Sequence, residues 1–241
     1  IGWTFDDGDA ASLGINAQDH RRFLNQFYTG QFDGSFAQGV GFQYNPENGD
    51  CRVCGSLASL AGLERAVAGG DPLLVEMALR RILLIHSIIL SIGGIPLIYA
   101  GDELALLNDY GYRDDPHQQH DARWVNRPAI TSAAIARAEH AGTPEQRINQ
   151  ELRKLIALRK QLPVLGGGKT RILPTANPQV FAYLRHGKQG ARLLVLCNFS
   201  EAPQRVDLGH FNQLAVATSM TDCVEGGVEA IADDFVVELE P

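Results

Sequence analysis

The stretch Ile95-Pro96-Leu97-Ile98-Tyr99-Ala100-Gly101-Asp102-Glu103 constrains this chain more than any other. An apolar, partly β-branched run, entered through Gly93-Gly94 and Pro96 and left through Gly101 into two carboxylates, has the form of a strand buried on both faces. The twenty residues before it, 73–92, are mostly apolar, with Glu76, Arg80 and Arg81 grouped to one side as in a helix packed on a sheet. Helix, Gly-Gly turn, buried strand and acidic exit predict one αβ unit of a parallel sheet. In parallel α/β barrels ligands meet the carboxyl ends of the strands, so Gly101-Asp102-Glu103 and the polar loop after them are expected on the working side.

Size and charge narrow the rest. A chain of 241 residues with 45% hydrophobic and 20% charged residues can bury a full core, as one large domain or two small ones. A net charge of -7, with no basic patch, disfavours nucleic acid or anionic lipid as partners and suits a neutral small substrate. No stretch reaches eighteen apolar residues without charge, and no secretory signal opens the chain, so no membrane partner is expected. The chain begins at Ile1 within what reads as a strand-to-loop transition, which predicts the carboxy-terminal piece of something longer. Four cysteines occur, and only Cys51 and Cys54 are close together. A single Cys-x-x-Cys is weak evidence for zinc or for a redox dithiol; free thiols and a reducing, cytoplasmic setting are the expectation.

Along the chain, 10–27 reads as helix interrupted by Gly14, with Phe23, Leu24 and Phe27 on its apolar face. Residues 28–54 turn to Gly, Asn, Pro and isolated aromatics, a long ordered loop of the kind that usually carries function. Helical spacing resumes over 56–67, and 107–128 is a polar loop rich in turn formers. Residues 145–162 form an amphipathic helix, with Lys and Arg gathered where its dipole favours them. From Lys169 on, short strand-like runs at 180–184, 192–199, 203–208, 214–218 and 235–239 predict a small antiparallel domain.

Adjacent carboxylates make Asp102 with Glu103 tempting as an acid-base pair. Neighbouring side chains of a strand point to opposite faces, so this pair cannot flank one small substrate and reads as loop anchors and caps. Asp6-Asp7 and Asp114-Asp115 meet the same objection. Arg123, in Asp121-Ala122-Arg123-Trp124, offers a planar guanidinium that gives paired hydrogen bonds to a carboxylate or to sugar hydroxyls; a solvated surface charge is its plain alternative. Arg52 follows the tight turn Asn48-Gly49-Asp50, which would aim its side chain, whereas Arg21 follows His20 in a helix and fits a helix-surface charge equally well. Phe32, Phe36, Phe42 and Tyr44 offer faces for sugar stacking, and packing is the commoner use of such residues. The seven histidines show no metal-ligand pair on one helix, no carboxylate cluster has the form of a calcium loop, and no phosphate-cradling loop is present, so neither metal nor cofactor is expected.

Gly-Gly-Ile-Pro-Leu-Ile-Tyr-Ala-Gly-Asp-Glu at 93–103 resembles the last barrel strand of the α-amylase clan of glycoside hydrolases and glucosyltransferases. Within that clan, Ile1-Gly2-Trp3-Thr4-Phe5, Asp19-His20-Arg21, Phe32-Asp33-Gly34-Ser35-Phe36 and Asp50-Cys51-Arg52 resemble the amylosucrase and sucrose hydrolase group, and the likeness runs nearly from end to end. The resemblance implies an α/β then β chain: the last part of a (β/α)8 barrel with an inserted subdomain, followed by an antiparallel β-sandwich. Residues 1–66 would hold the end of strand seven and the insert, 67–165 the last αβ units, and 166–241 the sandwich.

In the resembled group the nucleophilic Asp and the acid Glu lie on earlier barrel strands, and a third carboxylate precedes the Ile-Gly-Trp motif. No catalytic carboxylate is therefore expected in this chain, which alone is expected to be inactive and poorly soluble. Arg123 would sit at the floor of a sucrose pocket, paired with an Asp from an early loop, and Arg21 and Arg52 would touch sucrose or the incoming glucan, with Gly2 and Gln43 lining the same route. The implied activity is transfer of glucose from sucrose onto an α-1,4-glucan with release of fructose. Sucrose hydrolysis on the same fold and a non-catalytic carbohydrate-binding piece are the alternatives. Sucrose, α-glucan and the rest of the same enzyme are the implied partners.

Overall fold

In a computed structural model the structure describes residues 6–211, 219–224, 228–230 and 236–241. Two compact units emerge, one formed by Ile1–Ile82 with Ile98–Gln150 and the other by Leu83–Leu97 with Glu151–Pro241; two of the three divisions fall inside long helices.

In the first unit α1 (Asp7–Ser12) starts on Asp6, whose carboxylate accepts the amides of Gly8 and Asp9, and α2 (Ala17–Tyr28) starts on Asn16, whose side chain accepts the amide of Asp19. Gly14 stands between them at a φ of 72°, so the helix expected over 10–27 is two helices. After α2 the chain turns back through β1 (Val40–Phe42) and β2 (Arg52–Cys54), an antiparallel hairpin with Val40 opposite Cys54 and Phe42 opposite Arg52. Two short helices follow, α3 (Leu57–Leu60) and α4 (Leu63–Gly69), parted at Gly62. Gly62 holds a φ of 102°, a conformation in which any side chain is strained, and a Cβ there would press on the Phe36 side chain at 3.1 Å. Then come α5 (Pro72–Ser91), α6 (Ser132–Glu139) and α7 (Pro144–Gln161), the first and last where their apolar spacing predicts them. The loop 107–128 contains 3-10 turns at Gly111–Asp114 and Ala122–Asn126. Val53, Leu63, Ile82, Val125 and Ile148 are among the fully buried side chains of the first unit.

The second unit carries the strands. After α8 (Pro163–Gly166), β3 (Lys169–Leu173), β4 (Val180–His186) and β5 (Arg192–Asn198) form one antiparallel sheet in that order. β6 (Gln204–Asp207) pairs with β9 (Val236–Leu239), and β7 (Ser219–Thr221) with β8 (Val228–Ala230). Leu173, Val180, Ala182 and Leu184 pack with Val206, Leu208 and Phe211 in one apolar layer, which Leu194, Leu196, Val237 and Leu239 extend. The strand expected at 214–218 lies outside the described residues.

β4 also carries an arginine into the interior. Arg185 is 2% exposed and donates to the carbonyls of Ile92, Val164 and Gly167 at 3.2, 3.3 and 2.7 Å, and to the Thr170 hydroxyl. Ile92 follows the last residue of α5, and Gly167 closes α8, so the cation sits at the negative ends of two helices. Tyr183, two residues earlier and fully buried, shares a hydrogen bond with the Ser91 hydroxyl.

One expectation is corrected here. Residues 95–99 are not a strand buried on both faces: they form extended chain outside every described sheet, with Ile95 98% and Leu97 77% exposed. A parallel strand is stabilised by neighbours on both edges, and the described residues supply only antiparallel partners, already paired with one another. The described sheets are small and antiparallel, so the (β/α)8 barrel is not seen as such in this chain.

Candidate functional site

Four of the five predicted binding residues fall in the first unit on elements that are tied together; the fifth, Gly2, lies outside the described residues. The β1–β2 hairpin is the hub. Cys54, at its end, donates its thiol proton toward the carbonyls of Val40 at 3.4 Å and Ala122 at 3.2 Å, which anchors the turn bearing Arg123. Burial pushes this thiol's pKa up, so it acts as a small hydrogen-bonding core group rather than as a nucleophile. Tyr112 and Val125 are buried against it, with Val40, Phe42 and Trp124 packed around them.

Asn108 makes a second tie. Its side chain accepts the Ser56 amide at 2.8 Å and donates to the Gln38 carbonyl at 2.6 Å and the Tyr110 hydroxyl at 3.1 Å, while its amide donates to the Ser59 hydroxyl at 2.9 Å. The loop 107–128 is thereby fastened to the start of α3 and to the chain entering β1. A third tie joins α2 to the turn before β2: Asn25 donates to Asp50 at 2.7 Å and Gln18 to the Asn48 carbonyl at 3.1 Å.

Each predicted side chain then has a definite setting. Arg52 stands exposed on β2, two residues after the pinned Asp50. Gln43, just past β1, is held at a φ of 52°, a left-handed conformation uncommon outside glycine and concentrated at functional sites. Arg21 forms an ion pair with Asp7, which gives it a structural use on α1 and α2. Arg123 is half-exposed and forked onto Asp121, with Nε to Oδ1 and Nη2 to Oδ2 both at 2.8 Å. Hydrogen bonds from the Arg123 side chain and backbone hold the Asp121 carboxyl below its ordinary pKa, and the same carboxylate raises that of the guanidinium.

The acidic pair behaves as its plain reading has it. Asp102 and Glu103 open a 3-10 turn, and Glu103 accepts the Gly101 amide at 2.8 Å, closing that turn on itself. Phe32 and Phe36 meet Phe23 and Phe27 edge-on at 4.9 and 5.0 Å, so their rings serve packing. A cleft of about 500 Å³ in this unit is lined by Thr29, Gln38, Arg65, Tyr110 and Arg113 rather than by the predicted arginines. Sequence reasoning gave Asn108 only a turn former's part and gave Asp121 none. The one available signal for Asp121 was its place two residues before Arg123, where a carboxylate caps a short turn.

No protein-family model matches the chain. A trehalose synthase of Thermus thermophilus is 28% identical over 152 residues, 54% of this chain and 15% of that protein. Solved structures of AmyP with maltotriose and with maltose match at a TM-score of 0.54, over 68% of this chain and 33% of theirs, at 16% and 17% identity. The chain thus spans a minor part of each. The likeness to the solved structures shows that the fold of this chain is similar to part of theirs.

Proposed function

We propose that this chain is the carboxy-terminal portion of a retaining, sucrose-acting glucosyltransferase of the amylosucrase type, contributing sugar-holding arginines to a site whose reactive acids come from the remainder of the enzyme. In this reading 1–66 ends strand seven and forms the insert, 67–165 supplies the last barrel units, and 166–241 is a β-sandwich. The exposed apolar chain at 95–99 would then find its neighbours in the rest of the barrel.

The observation that carries the proposal is the locked assembly of the β1–β2 hairpin, the left-handed Gln43 and the turn holding Arg123. It presents guanidinium groups and an amide, which are hydrogen-bond donors suited to hydroxyls, without a free carboxylate pair. Arg123 would grip sucrose, with Arg52, Arg21, Gln43 and Gly2 along the route of fructosyl group or glucan. Relatives named for trehalose and seen with maltose and maltotriose fit an α-glucoside substrate. Attack by a carboxylate on the glucosyl carbon, with protonation of the leaving fructosyl oxygen by the partner acid, gives a covalent glucosyl-enzyme; a second displacement by a glucan hydroxyl restores the anomeric configuration.

Incubating the complete enzyme with sucrose and a glucan primer tests this. Fructose release with iodine-staining polymer is expected. Glucose equal to fructose with no polymer would make the enzyme a sucrose hydrolase, and maltose turned into trehalose with sucrose untouched would overturn the assignment.

A further inference from the structure

We infer that Asp121 is a positioning residue for Arg123: it grips one edge of the guanidinium and so fixes which N–H groups remain for a sugar. The inference rests on the proposed role of Arg123 in holding sucrose and adds to it a residue with a distinct task.

Three hydrogen bonds join the two residues. Oδ1 of Asp121 accepts both the Arg123 backbone amide at 3.0 Å and its Nε–H at 2.8 Å, and Oδ2 accepts from Nη2 at 2.8 Å. One carboxylate therefore begins the 3-10 turn Ala122–Asn126 and folds the arginine side chain back along that turn. A guanidinium has five N–H groups in one plane. With Nε–H and one Nη2–H engaged, three remain, two on Nη1 and one on Nη2, to be shared between a sugar and the early-loop Asp that the resemblance implies. Neighbouring hydroxyls of one sugar ring match such a paired set of donors.

The surroundings reinforce the fixed direction. Ala122, the residue between the two, is held to Cys54 through its carbonyl at 3.2 Å, which ties the turn to β2. Arg127 stacks on Trp124 with its charge 4.9 Å from the ring centroid, which gives the next cation of the loop an aromatic seat. Asp121 is thus the hinge between a rigid turn and a long side chain that would otherwise sample many rotamers.

The complete enzyme, assayed on sucrose, separates this role from a purely structural one. Asparagine caps a helical turn as well as aspartate, so Asp121→Asn keeps the backbone bond and the fold while it removes the charged fork. A roughly tenfold rise in KM, equivalent to about 1.4 kcal/mol, with kcat within about twofold, is expected, because the grip acts on bound substrate and transition state alike. Arg123→Ala should raise KM at least as much, and the double variant should be no worse than Arg123→Ala alone. In NMR of the same protein, the Arg123 Nη2 protons should be protected from exchange and lose that protection in Asp121→Asn, which replaces their acceptor Oδ2 with an NH2 group.

An unchanged KM in Asp121→Asn beside a raised KM in Arg123→Ala would overturn this inference and leave the proposed function standing. An unchanged KM in Arg123→Ala would bring down both. Fully additive effects, or unprotected Nη2 protons in the parent enzyme, would show that Asp121 does not act through Arg123.

Discussion

Replacing Arg185 by methionine should destabilise the second unit severely, and the structure gives the scale. The guanidinium is 2% exposed, no carboxylate among the described residues pairs with it, and its charge is met by carbonyls at the ends of α5 and α8 with the Thr170 hydroxyl. Methionine fills most of the stem's volume but donates nothing. The carbonyls of Ile92, Val164 and Gly167 would then lack this donor, each at a cost of about 1 to 3 kcal/mol unless water reaches it. Loss of the favourable charge at two helix ends adds about 0.3 to 1 kcal/mol apiece. Allowing for the burial cost that the cation itself no longer incurs, the net is about 3 to 5 kcal/mol. For a chain of this length that corresponds to a fall in Tm of roughly 6 to 20 °C. Calorimetry and urea unfolding followed by circular dichroism read it directly, and Arg185→Lys, which keeps the charge but not the fork, should fall between. A methionine variant within 1 kcal/mol of the parent would refute the argument, since the carbonyls would then be satisfied without the arginine.

Three further outcomes are expected. Gly93 holds a φ of 123°, and a Cβ there would stand 2.6 Å from Nη1 of Arg185, so Gly93→Ala should cost at least about 2 kcal/mol in the same unfolding assay. Asn108→Ala removes three side-chain hydrogen bonds at once; a loss of about 2 to 4 kcal/mol is expected in urea unfolding, with faster amide exchange in the loop 107–128. Burial pushes the Cys197 thiol to about 11 and, opposed in part by the Ser91 hydrogen bond, the Tyr183 phenol to about 12. Both are acids held protonated in the folded state, so their contribution is complete below the ordinary values near 9 and 10 and is lost as pH rises through the folded ones. Stability should therefore fall by about 1.4 kcal/mol per pH unit per group between pH 9 and 12, and Cys197→Ala should flatten the lower half of that window.

The helices were readable because their signal is local. Apolar spacing over α5 and α7 needs no partner to be recognised, and Gly14 marked the break before α2 in advance. The same kind of signal misled at 95–99. An apolar β-branched run says that a segment would be stable as a buried strand, but strand formation depends on neighbours that no single segment encodes, and here Ile95 and Leu97 face solvent. The break at Gly62 went unseen because it depends on the approach of Phe36, a contact made only once the chain has folded. Candidate site residues were legible by chemical type: Arg123 and Arg52 stood out as donors in polar turns. Their supports were not, since the Cys54 to Ala122 bond spans 68 residues and the Asn108 to Gln38 bond spans 70.

The character of this donor set bears on what the chain can do. Arginine keeps its proton at any working pH, so Arg21, Arg52 and Arg123 can bind, orient and neutralise charge but cannot pass a proton to a leaving group. Glycoside chemistry needs a carboxylic acid beside a carboxylate, and three carboxylates of this unit hold structural hydrogen bonds: Glu103 to the Gly101 amide, Asp50 to Asn25, and Asp121 to Arg123. Freeing Asp50 or Asp121 would loosen the turn that leads to Arg52 or the one that holds Arg123. In the proposed function these arginines bind and orient, and the reacting acids come from elements other than those that hold Arg52 and Arg123.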